Sequence, residues 1–495
     1  MTTPATGPAT GPATGPAAAP GRRLIRAAHI IAFQDGRHVH LRDGCLVTEG
    51  DVIAHVGPSF DGPADEIIDW PGIVTPGLIN THAHIAGSPL DKSFVEDRGP
   101  RQFYLSGLFE FLPARERAMT PEAPGACIDF SVPELLTTGT TTIMEIGIRG
   151  EKTIEACTRH GLRAYVGQGF RSGRWFTDDG KTVQYQWFED EGREAFEGSV
   201  AFCEAHENTH DGLIKTFITP MQIDTVTEAM LKRSKDAARD LGVPLALHAA
   251  QSVNEFQEMA RRTGITPIEW LRDIGFLGPE LIMGHAIIPG EGSWANWNGS
   301  DDIGILADTG THVAHAAWVF CRRGIAMESF ARYRERGVNM TIATDTCPQS
   351  MLEALRWTAV ISKVVDRRTE TATAADVFEA ATLGGAKALG RDDLGRIAPG
   401  AKADLILWKG ASLSMTPLRD PLKNIVFNAA PGDIDTVIVA GRMVVEGGQV
   451  PGFDETAACA KLQGAAQAMW DNMGSGDWAG RTVDALSPQS LPPFR

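Results

Sequence analysis

The segment Thr81-His82-Ala83-His84 closes a mainly apolar run that starts at Ile73, and it constrains the chain more than any other stretch. Side chains alternate faces along a strand, so His82 and His84 point the same way. Two imidazoles at the end of a buried strand can chelate a borderline metal such as zinc or iron. A His-x-His pair is weak by itself, so its weight depends on ligands elsewhere in the chain.

Eight short apolar runs alternate with longer stretches of helical periodicity, a pattern typical of βα units around a parallel sheet. The runs cover residues 74–84, 140–147, 163–170, 213–220, 244–251, 281–287, 311–317 and 339–345. Clear helical stretches cover residues 226–241, 325–336, 349–365 and 374–389. Eight such units over about 320 residues predict a (β/α)8 TIM barrel with insertions, hence the α/β class.

Short β-like segments occur near both chain ends, and they predict a small β-sandwich domain that both ends build together. They cover residues 24–31, 45–47, 52–56 and 66–69, and later 403–408, 425–428, 436–440 and 443–446. The domain boundaries that follow are a disordered tail (1–22), a first sandwich part (23–73), the barrel (74–395), a second sandwich part (396–450) and a C-terminal extension (451–495).

Composition narrows the partners and the compartment. The net charge of −16 comes without a basic stripe, which argues against nucleic acid and anionic membranes as partners. Seven scattered cysteines without a Cys-x-x-Cys pair fit a reducing compartment, and no apolar run reaches membrane-spanning length. The first 22 residues lack the leading charge and apolar core of an export signal. We therefore expect a cytoplasmic homodimer or higher homo-oligomer that acts on a small molecule.

Polar residues fall where most of the eight predicted strands end. In parallel-stranded barrels this is the end that carries the chemistry, and several histidines with one aspartate aimed at one face are hard to attribute to chance. The residues are His82, His84, Glu145, Arg171, His248, Gln251, His285, His315 and Asp345.

The order and spacing of these motifs resemble the amidohydrolase superfamily. They are the run from Val74 to His84, Leu247-His248-Ala249-Ala250-Gln251, Gly284-His285, Val313-Ala314-His315 and Ala343-Thr344-Asp345. The segment from Gly395 to Leu405 resembles the return from the barrel to the sandwich in these enzymes. The motif on the seventh strand and the overall layout are most similar to the cytosine deaminase and triazine hydrolase branch.

The resemblance implies a role for each matching residue. His82, His84, His248 and Asp345 would bind one divalent metal ion, zinc first, with iron or manganese as alternatives. The metal lowers the pKa of a bound water from 15.7 to roughly 7, giving hydroxide at neutral pH. Asp345 would also accept the proton of that water, and His285 would lie opposite, against the water or the developing negative charge.

One position departs from the branch. Its deaminases carry a glutamate three residues after the histidine of the fifth strand, where this chain has Gln251. An amide cannot donate and recover a proton at neutral pH, which leaves Glu145, or Asp345 together with His285, as candidates for that task. The chemistry therefore favours hydrolysis of an amide-, urea- or carbamate-type C–N bond in a small neutral, cyclic or aromatic substrate. Deamination or dehalogenation of a heteroaromatic ring is the alternative.

Other assignments follow from position alone. Substrate contacts are expected from residues after the strand ends: His315, Arg171, Gln222, Trp294, Trp318 and Gln349. In two-metal relatives a lysine on the fourth strand is carboxylated and bridges both ions, but Lys215 falls early in its strand, which favours a structural role and a single metal. A catalytically silent scaffold would typically have lost ligands, and a metal-free site for an anionic ligand is the remaining alternative.

Overall fold

The structure is a computed structural model that describes residues 21–494. Most of the predicted tail lies outside these residues, and the first strand already begins at Arg22. The seventeen strands are β1 (Arg22–Gln34), β2 (Arg37–Glu49), β3 (Val52–Gly57), β4 (Glu66–Pro76), β5 (Leu78–Ala83), β6 (Thr140–Glu145), β7 (Arg163–Gly167), β8 (Gly173–Phe176), β9 (Gln184–Trp187), β10 (Ile214–Phe217), β11 (Leu245–Ala249), β12 (Leu281–His285), β13 (His312–His315), β14 (Met340–Ile342), β15 (Leu405–Trp408), β16 (Ile434–Val439) and β17 (Arg442–Val445).

The helices fill the intervals between these strands, and most of them have polar outer faces. They are α1 (Phe111–Ala118), α2 (Ala123–Thr137), α3 (Gly150–His160), α4 (Glu189–His206), α5 (Glu228–Leu241), α6 (Val253–Thr263), α7 (Pro267–Asp273), α8 (Asp302–Thr309), α9 (Ala317–Cys321), α10 (Phe330–Glu335), α11 (Met351–Asp366), α12 (Ala374–Glu379), α13 (Gly385–Ala388), α14 (Pro421–Asn428), α15 (Glu455–Gly476) and α16 (Val483–Leu486). Short 3-10 helices cover Ser88–Phe94, Arg101–Phe103 and Pro431–Asp433, and a π-helical turn, Ala380–Gly384, joins α12 to α13.

Each of the eight predicted apolar runs contains a strand, and these strands form two parallel four-stranded sheets. Their orders are β10-β7-β6-β5 and β11-β12-β13-β14. Isolated parallel bridges join the sheets at both edges, Ile218 with Leu245 and Ala83 with Asp345. The alternation of parallel strands and helices, and with it the α/β class, is confirmed.

A third sheet combines strands from both chain ends in the order β17-β16-β15-β4-β1-β2-β3. Strand β4 runs from this sheet directly into β5, with only Gly77 between them. A Cβ at Gly77 would lie 2.0 Å from Thr141 Oγ1, so the chain can pass from one sheet to the other only where the side chain is absent. The prediction that both chain ends share one β structure is confirmed.

One predicted β segment is wrong. Residues 425–428 lie in α14, whose N-cap Asp420 accepts a hydrogen bond from the Lys423 N–H. Pro421 occupies the first turn, where its missing N–H costs nothing. Ile425 and Val426 are buried, and an apolar window of four residues does not distinguish a strand from a helix turn.

The C-terminal extension contains the 22-residue helix α15, which packs on its own chain. Its buried face meets α1, α2 and the 3-10 turn after β5 in a separate apolar cluster that includes Phe94, Phe111, Met469 and Met473. This helix therefore covers the segment that follows the first two histidines. Among residues 21–494, no helix combines the length and apolar character that crossing a bilayer requires.

Candidate metal centre

The strand ends bring four histidines and one aspartate together. The donor atoms of His82, His248 and His285 lie within 4.8 Å of one another, and so do those of His82, His84 and Asp345. The Nε2 atoms of His84 and His248 are 3.0 Å apart, and Asp345 Oδ1 lies 3.4 Å from His84 Nε2 and 3.7 Å from His82 Nε2. Residues from β5, β11, β12 and the end of β14 thus converge on one point, as the sequence predicts.

The contact between His84 and His248 is a chelating geometry rather than a hydrogen bond. His84 Nδ1 donates to the Ile146 carbonyl, and His248 Nδ1 donates to the Met221 carbonyl. Burial and the neighbouring His84 ring lower the pKa of His248 to about 3, so this ring is neutral. Two Nε2 lone pairs then face each other, and a shared cation is what makes this arrangement favourable.

His82 is buried in the cluster, and both of its ring nitrogens are without a hydrogen-bonding partner among the described residues. Burial, together with the His248, His285 and His84 rings, holds the pKa of His82 well below its usual range. Gly284 makes room for the ring, because a Cβ there would lie 2.6 Å from His82 Cε1. A metal ion that takes up the lone pair of one ring nitrogen would satisfy part of this buried polar group.

Two residues at the centre have left-handed backbone conformations, which non-glycine residues seldom adopt. They are His285, with φ 81°, and Asp345, with φ 59°. Asp345 N–H donates to the His82 carbonyl (2.9 Å), and its own carbonyl accepts from the His84 N–H (2.7 Å). These bonds fix the Asp345 backbone beside both β5 histidines. Backbone strain of this kind is concentrated at functional sites.

The donor set fits a metal ion by its chemistry. Imidazole nitrogens and a carboxylate are ligand types that zinc takes in catalytic sites, where a further position stays open for water. His285 lies on the other side of His82, with ring centroids 4.8 Å apart, and the edge of Phe320 packs against it at 4.9 Å. Burial holds the pKa of His285 well below its usual range, so it too is neutral.

Gln251 is anchored by a buried network that the sequence did not reveal. Gln222 Nε2 donates to Gln251 Oε1 at 3.0 Å and to Glu255 Oε2 at 2.9 Å. Glu255 also accepts from the Ala250 N–H at 2.6 Å, and burial raises its pKa well above the usual range. The Gln251 oxygen is thereby engaged, and its amide nitrogen is left as the free donor of this side chain.

The sequence does not mark Glu255 as part of the site, because this residue lies at the start of a helix. It is the third residue of α6, and its N–H donates to the side chain of the N-cap Ser252. A glutamate at that position usually serves as part of a cap on the surface. Here it is 1% exposed, a fact about tertiary packing for which the local sequence holds no signal.

Glu145 lies away from the imidazole cluster. It pairs in register with Ala83 of β5, whose side chain lies on the opposite face of that strand from His82 and His84. Paired residues of neighbouring strands share a face, so Glu145 points to the helix layer. Burial raises the pKa of Glu145 to about 8, an effect that the Ile85 N–H only partly opposes. A side chain on the helix-facing side of β6 does not point toward the substrate. The position of Glu145 therefore argues against its expected catalytic role.

The expected substrate contacts fall into two groups. His315 is buried with both nitrogens unpartnered among the described residues, and burial lowers its pKa to about 4. Trp318, just after β13, packs on Trp357 with ring centroids 5.1 Å apart, and its buried indole nitrogen also has no partner there. Gln222 belongs to the network that holds Gln251.

The remaining three expected contacts have other partners. Gln349 is fully buried, accepting from Thr344 Oγ1 and donating to Ser88 Oγ, and so it ties two loops together. Arg171 is partly exposed and lies 3.7 Å from Glu116. Trp294 borders a separate surface cavity next to Arg332. Lys215 forms an ion pair with Glu207 at 2.9 Å, as a structural lysine would.

Comparison with known proteins decides the family. The model of the amidohydrolase family matches residues 73–444, about three quarters of the chain. The chain belongs to the amidohydrolase family. A 5′-deoxyadenosine deaminase of Methanosarcina mazei is 27% identical over 449 residues, covering 90% of this amidohydrolase and 97% of the relative. A 5-methylthioadenosine/S-adenosylhomocysteine deaminase of Acetivibrio thermocellus is 28% identical over 401 residues, covering 80% and 86% of the two chains.

Two solved structures show the same fold as this amidohydrolase. An adenosine deaminase of Xanthomonas campestris with bound zinc has a TM-score of 0.77 at 23% identity, covering 92% of this chain and 99% of its own. A triazine hydrolase from Arthrobacter aurescens has a TM-score of 0.76 at 22% identity, covering 90% and 99%. The protein is a metal-dependent hydrolase that acts on C–N bonds, and its cofactor is one divalent metal ion, for which zinc matches the donors.

Proposed function

We propose that this amidohydrolase cleaves an amide-, urea- or carbamate-type C–N bond in a small cyclic or aromatic substrate. One observation carries the preference: the position where a proton-shuttling carboxylate is expected holds Gln251, and Gln222 and Glu255 fix that amide in place. A fixed amide N–H is suited to donate to a substrate carbonyl oxygen, which amides, ureas and carbamates all present.

The proposed architecture is a closed (β/α)8 barrel with a small β-sandwich at the end of the barrel where the strands begin. The bridges at both edges of the two parallel sheets support closure, and so does the likeness to the solved structures. We place the barrel at residues 74–395, the sandwich at 23–73 and 396–450, and the extension at 451–495, the boundaries that the sequence suggests. In this arrangement the metal centre lies at the carboxyl ends of the strands, where such barrels carry their chemistry.

The roles of the side chains follow from their positions. His82, His84, His248 and Asp345 would hold the ion, which supplies a water whose pKa is lowered to roughly 7. Asp345 would accept the proton of that water and return it to the leaving nitrogen. His285 would steady the oxygen that gains negative charge, and the Gln251 amide would orient the substrate carbonyl. Glu145 would serve in packing, since it faces the helix layer.

The ring-facing side of the site is less polar. His315 ends β13 and Trp318 follows it in α9. We propose that both contact the cyclic part of the substrate. The other three expected residues would not contact the substrate directly, because each already contacts other parts of the protein. They are Arg171, Trp294 and Gln349.

Hydrolytic deamination of an aminated heteroaromatic ring is the second candidate. Its support comes from two similar proteins, the 5′-deoxyadenosine deaminase of Methanosarcina mazei and the 5-methylthioadenosine/S-adenosylhomocysteine deaminase of Acetivibrio thermocellus. In that reaction the Gln251 amide would donate to a ring nitrogen, and Asp345 with His285 would carry the proton to the departing ammonia.

A substrate panel separates the two candidates. Zinc-loaded protein is incubated with acetanilide, phenylurea and ethyl phenylcarbamate, and in parallel with adenosine, 5′-deoxyadenosine and cytosine. We expect aniline release from the first set at least tenfold faster than ammonia release from the second. Faster ammonia release from the ring compounds would overturn the first candidate in favour of deamination.

The variant Gln251→Glu sharpens the test. We expect no gain in aniline release, because the proposed reaction needs a fixed donor there and a carboxylate removes it. Gln257→Glu, an exposed position on α6 just after Gln251, is the matched control for the added charge. A tenfold gain of ammonia release in Gln251→Glu alone would point to a ring deaminase that lacks its shuttle.

We also propose a cytoplasmic homo-oligomer. The seven cysteines are all free, as a reducing compartment requires. Val360 and Val364 lie one turn apart on α11 with 37% and 64% of their surface exposed, and such an apolar stripe suits a contact between subunits. Light scattering on the purified protein measures the subunit number, and a monomer at micromolar concentration would contradict the assignment.

A further inference from the structure

Three arginines gather beside the metal centre without an equal number of carboxylates. Arg98 comes from the loop after β5, while Arg322 and Arg323 follow α9, the helix after β13. All three guanidinium groups act electrostatically on Asp345, since each opposes the rise of its pKa that burial causes. None of them belongs to the ligand set or to the residues assigned above.

Arg98 and Arg115 share one carboxylate. Their Nη1 atoms lie 2.9 Å and 2.7 Å from the same oxygen of the fully buried Asp91. Arg98 is 7% exposed, and its Nε is buried with no partner among residues 21–494. Among the described residues, Asp91 is therefore the one carboxylate within 4.0 Å of these two guanidinium groups.

Arg322 lines the segment that follows the metal-binding aspartate. Its Nη1 donates to the Cys347 carbonyl at 2.6 Å, and its Nη2 donates to Thr346 Oγ1 at 3.1 Å. Both contacts are with neutral groups, so they hold the guanidinium in place but leave its charge uncompensated.

Arg323 is the group with the clearest capacity to bind. Its Nε donates to the Val319 carbonyl, but within the described chain no carboxylate lies within 4.0 Å of it, and its terminal nitrogens bond to no acceptor. Its Cζ lies 5.1 Å from the Phe320 ring centre, and that ring packs on His285 at 4.9 Å. Arg323 thus lies one aromatic ring away from the metal centre, and its side chain stays partly exposed.

Arg98 and Arg323 flank the same point. A Cβ built on Gly107 would lie 3.5 Å from Arg323 Nη1 and 3.6 Å from Arg98 Nε. Burial and, after it, the nearby Arg98 lower the pKa of Arg323 to about 9. Two like charges held this close repel each other, and an anion bound between them relieves that repulsion.

We propose that Arg323, with Arg98 beside it, binds an anionic substituent of the substrate, a carboxylate or a phosphate. The substrate of the proposed hydrolysis is then an anion, which differs from the neutral substrate that the sequence suggests. A metal ion held by Asp345 would neutralise the carboxylate on which all three arginines act. The excess of positive charge around the arginines would then be larger. Arginine is the residue best suited to such a group because its planar fork matches two oxygens at once.

The inference rests on the proposed function for the reacting end of the substrate, and binding tests it independently of turnover. Calorimetry measures the affinity of zinc-loaded protein for four ligands of one shape: acetanilide, 4-acetamidobenzamide, 4-acetamidobenzoate and 4-acetamidophenyl phosphate. We expect one of the two anions to bind at least tenfold tighter than the neutral benzamide. The anion that binds more tightly shows whether the site prefers a carboxylate or a phosphate. Equal affinity for anions and neutral ligands would overturn the inference, even with no variant in hand.

Variants locate the site. Arg323→Gln should lose at least tenfold in affinity for the preferred anion and less than twofold for the benzamide, while Arg323→Lys should keep part of the preference. Arg193→Gln, an exposed arginine of α4, is the control and should change neither affinity. An anion preference that survives in Arg323→Gln would contradict the assignment.

Zinc removal distinguishes the two ways in which an anion could bind. A carboxylate held by Arg323 should keep its preference after zinc is chelated, whereas one that ligates the metal should lose it. Loss on chelation would therefore overturn the inference. Anion binding through Arg323 without turnover of any panel compound would instead refute the proposed function and leave the anion site standing.

Discussion

At the scale of single residues, Asp345 holds a carboxylate in a site that is unfavourable for it without a cation. Burial raises its pKa, and the left-handed backbone fixes it beside His82 and His84. Asp345→Asn should reduce zinc content to below about a tenth of the wild-type value and turnover by at least about 100-fold. Metal analysis and initial rates measure both quantities. A variant with full zinc content would refute the ligand assignment.

The same substitution makes a second measurement informative. Zinc binds only the folded protein, so it should raise the melting temperature of the wild type but not that of Asp345→Asn. The metal-free variant should melt no lower than the metal-free wild type, since it lacks a buried charge. A lower melting temperature in the metal-free variant would show that the carboxylate supports the fold itself.

Glu145 gives a prediction with a defined pH window. Burial raises its pKa to about 8 in the folded state, above its ordinary value of 4.5. The folded protein then binds the extra proton between these values, so its contribution to stability is complete below pH 4.5 and is lost as the pH rises through about 8. Glu145→Gln should remove this loss and be the more stable protein at pH 8.5, but not at pH 4.5. Urea unfolding at the two pH values measures the difference.

Activity is the control for the same variant. Because Glu145 faces the helix layer, Glu145→Gln should change turnover by less than about threefold, well below the 10²–10⁴-fold that a general acid or base contributes. A loss of 100-fold with unchanged zinc content would restore Glu145 to the catalytic residues.

At the scale of elements, α15 decides how the segment after β5 is held. Met469 is fully buried between this helix and the apolar cluster that includes Phe94 and Phe111. Met469→Ala should lower the free energy of unfolding by about 2–5 kcal/mol because it leaves a cavity there. The exposed Gln467→Ala on the same helix should change it by less than about 0.5 kcal/mol, and urea unfolding compares the two. Equal effects would mean that α15 is not packed as described.

The strands and helices also show where a short stretch of sequence is enough to predict secondary structure. The eight apolar runs predicted the eight parallel strands because each strand is buried on both faces and reads as continuous hydrophobic sequence. Residues 425–428 were misassigned, since a short apolar stretch becomes a helix when Asp420 and Pro421 start one before it. The hairpin of β8 and β9 carries no run of apolar residues. Its innermost pair, Phe176 with Gln184, is eight positions apart, so a short stretch of sequence does not predict the pairing.

At the scale of the whole molecule, one buried ion pair joins the parallel sheets to the sheet of both chain ends. Arg163 of β7 donates from Nε and Nη2 to the two oxygens of Asp404, at 2.9 Å and 3.0 Å. Asp404 also accepts from the Ala440 N–H at 2.7 Å. Arg163→Met should cost about 3–5 kcal/mol, because it leaves a buried carboxylate without its partner.

A double variant isolates the cause. Arg163→Met with Asp404→Asn removes the charge but keeps an acceptor for the Ala440 N–H. It should recover more than about 1 kcal/mol of the loss, as expected when an uncompensated charge dominates the cost. Urea unfolding of both proteins measures the recovery. A double variant less stable than the single one would show that the contact matters through packing and not through charge.

The sequence by itself determined the alternation of strands and helices, the shared sheet of the chain ends, and the five polar residues whose donor atoms come together at the strand ends. All of these are written in short windows, since a buried strand is continuously apolar and a metal ligand at its end stands out against it. Only the tertiary structure decided that Glu145 faces the helices, that Glu255 anchors Gln251, and that Arg98 and Arg323 meet near Gly107. Burial and charge balance depend on which distant residues surround a side chain, and this is settled only when the whole chain has folded.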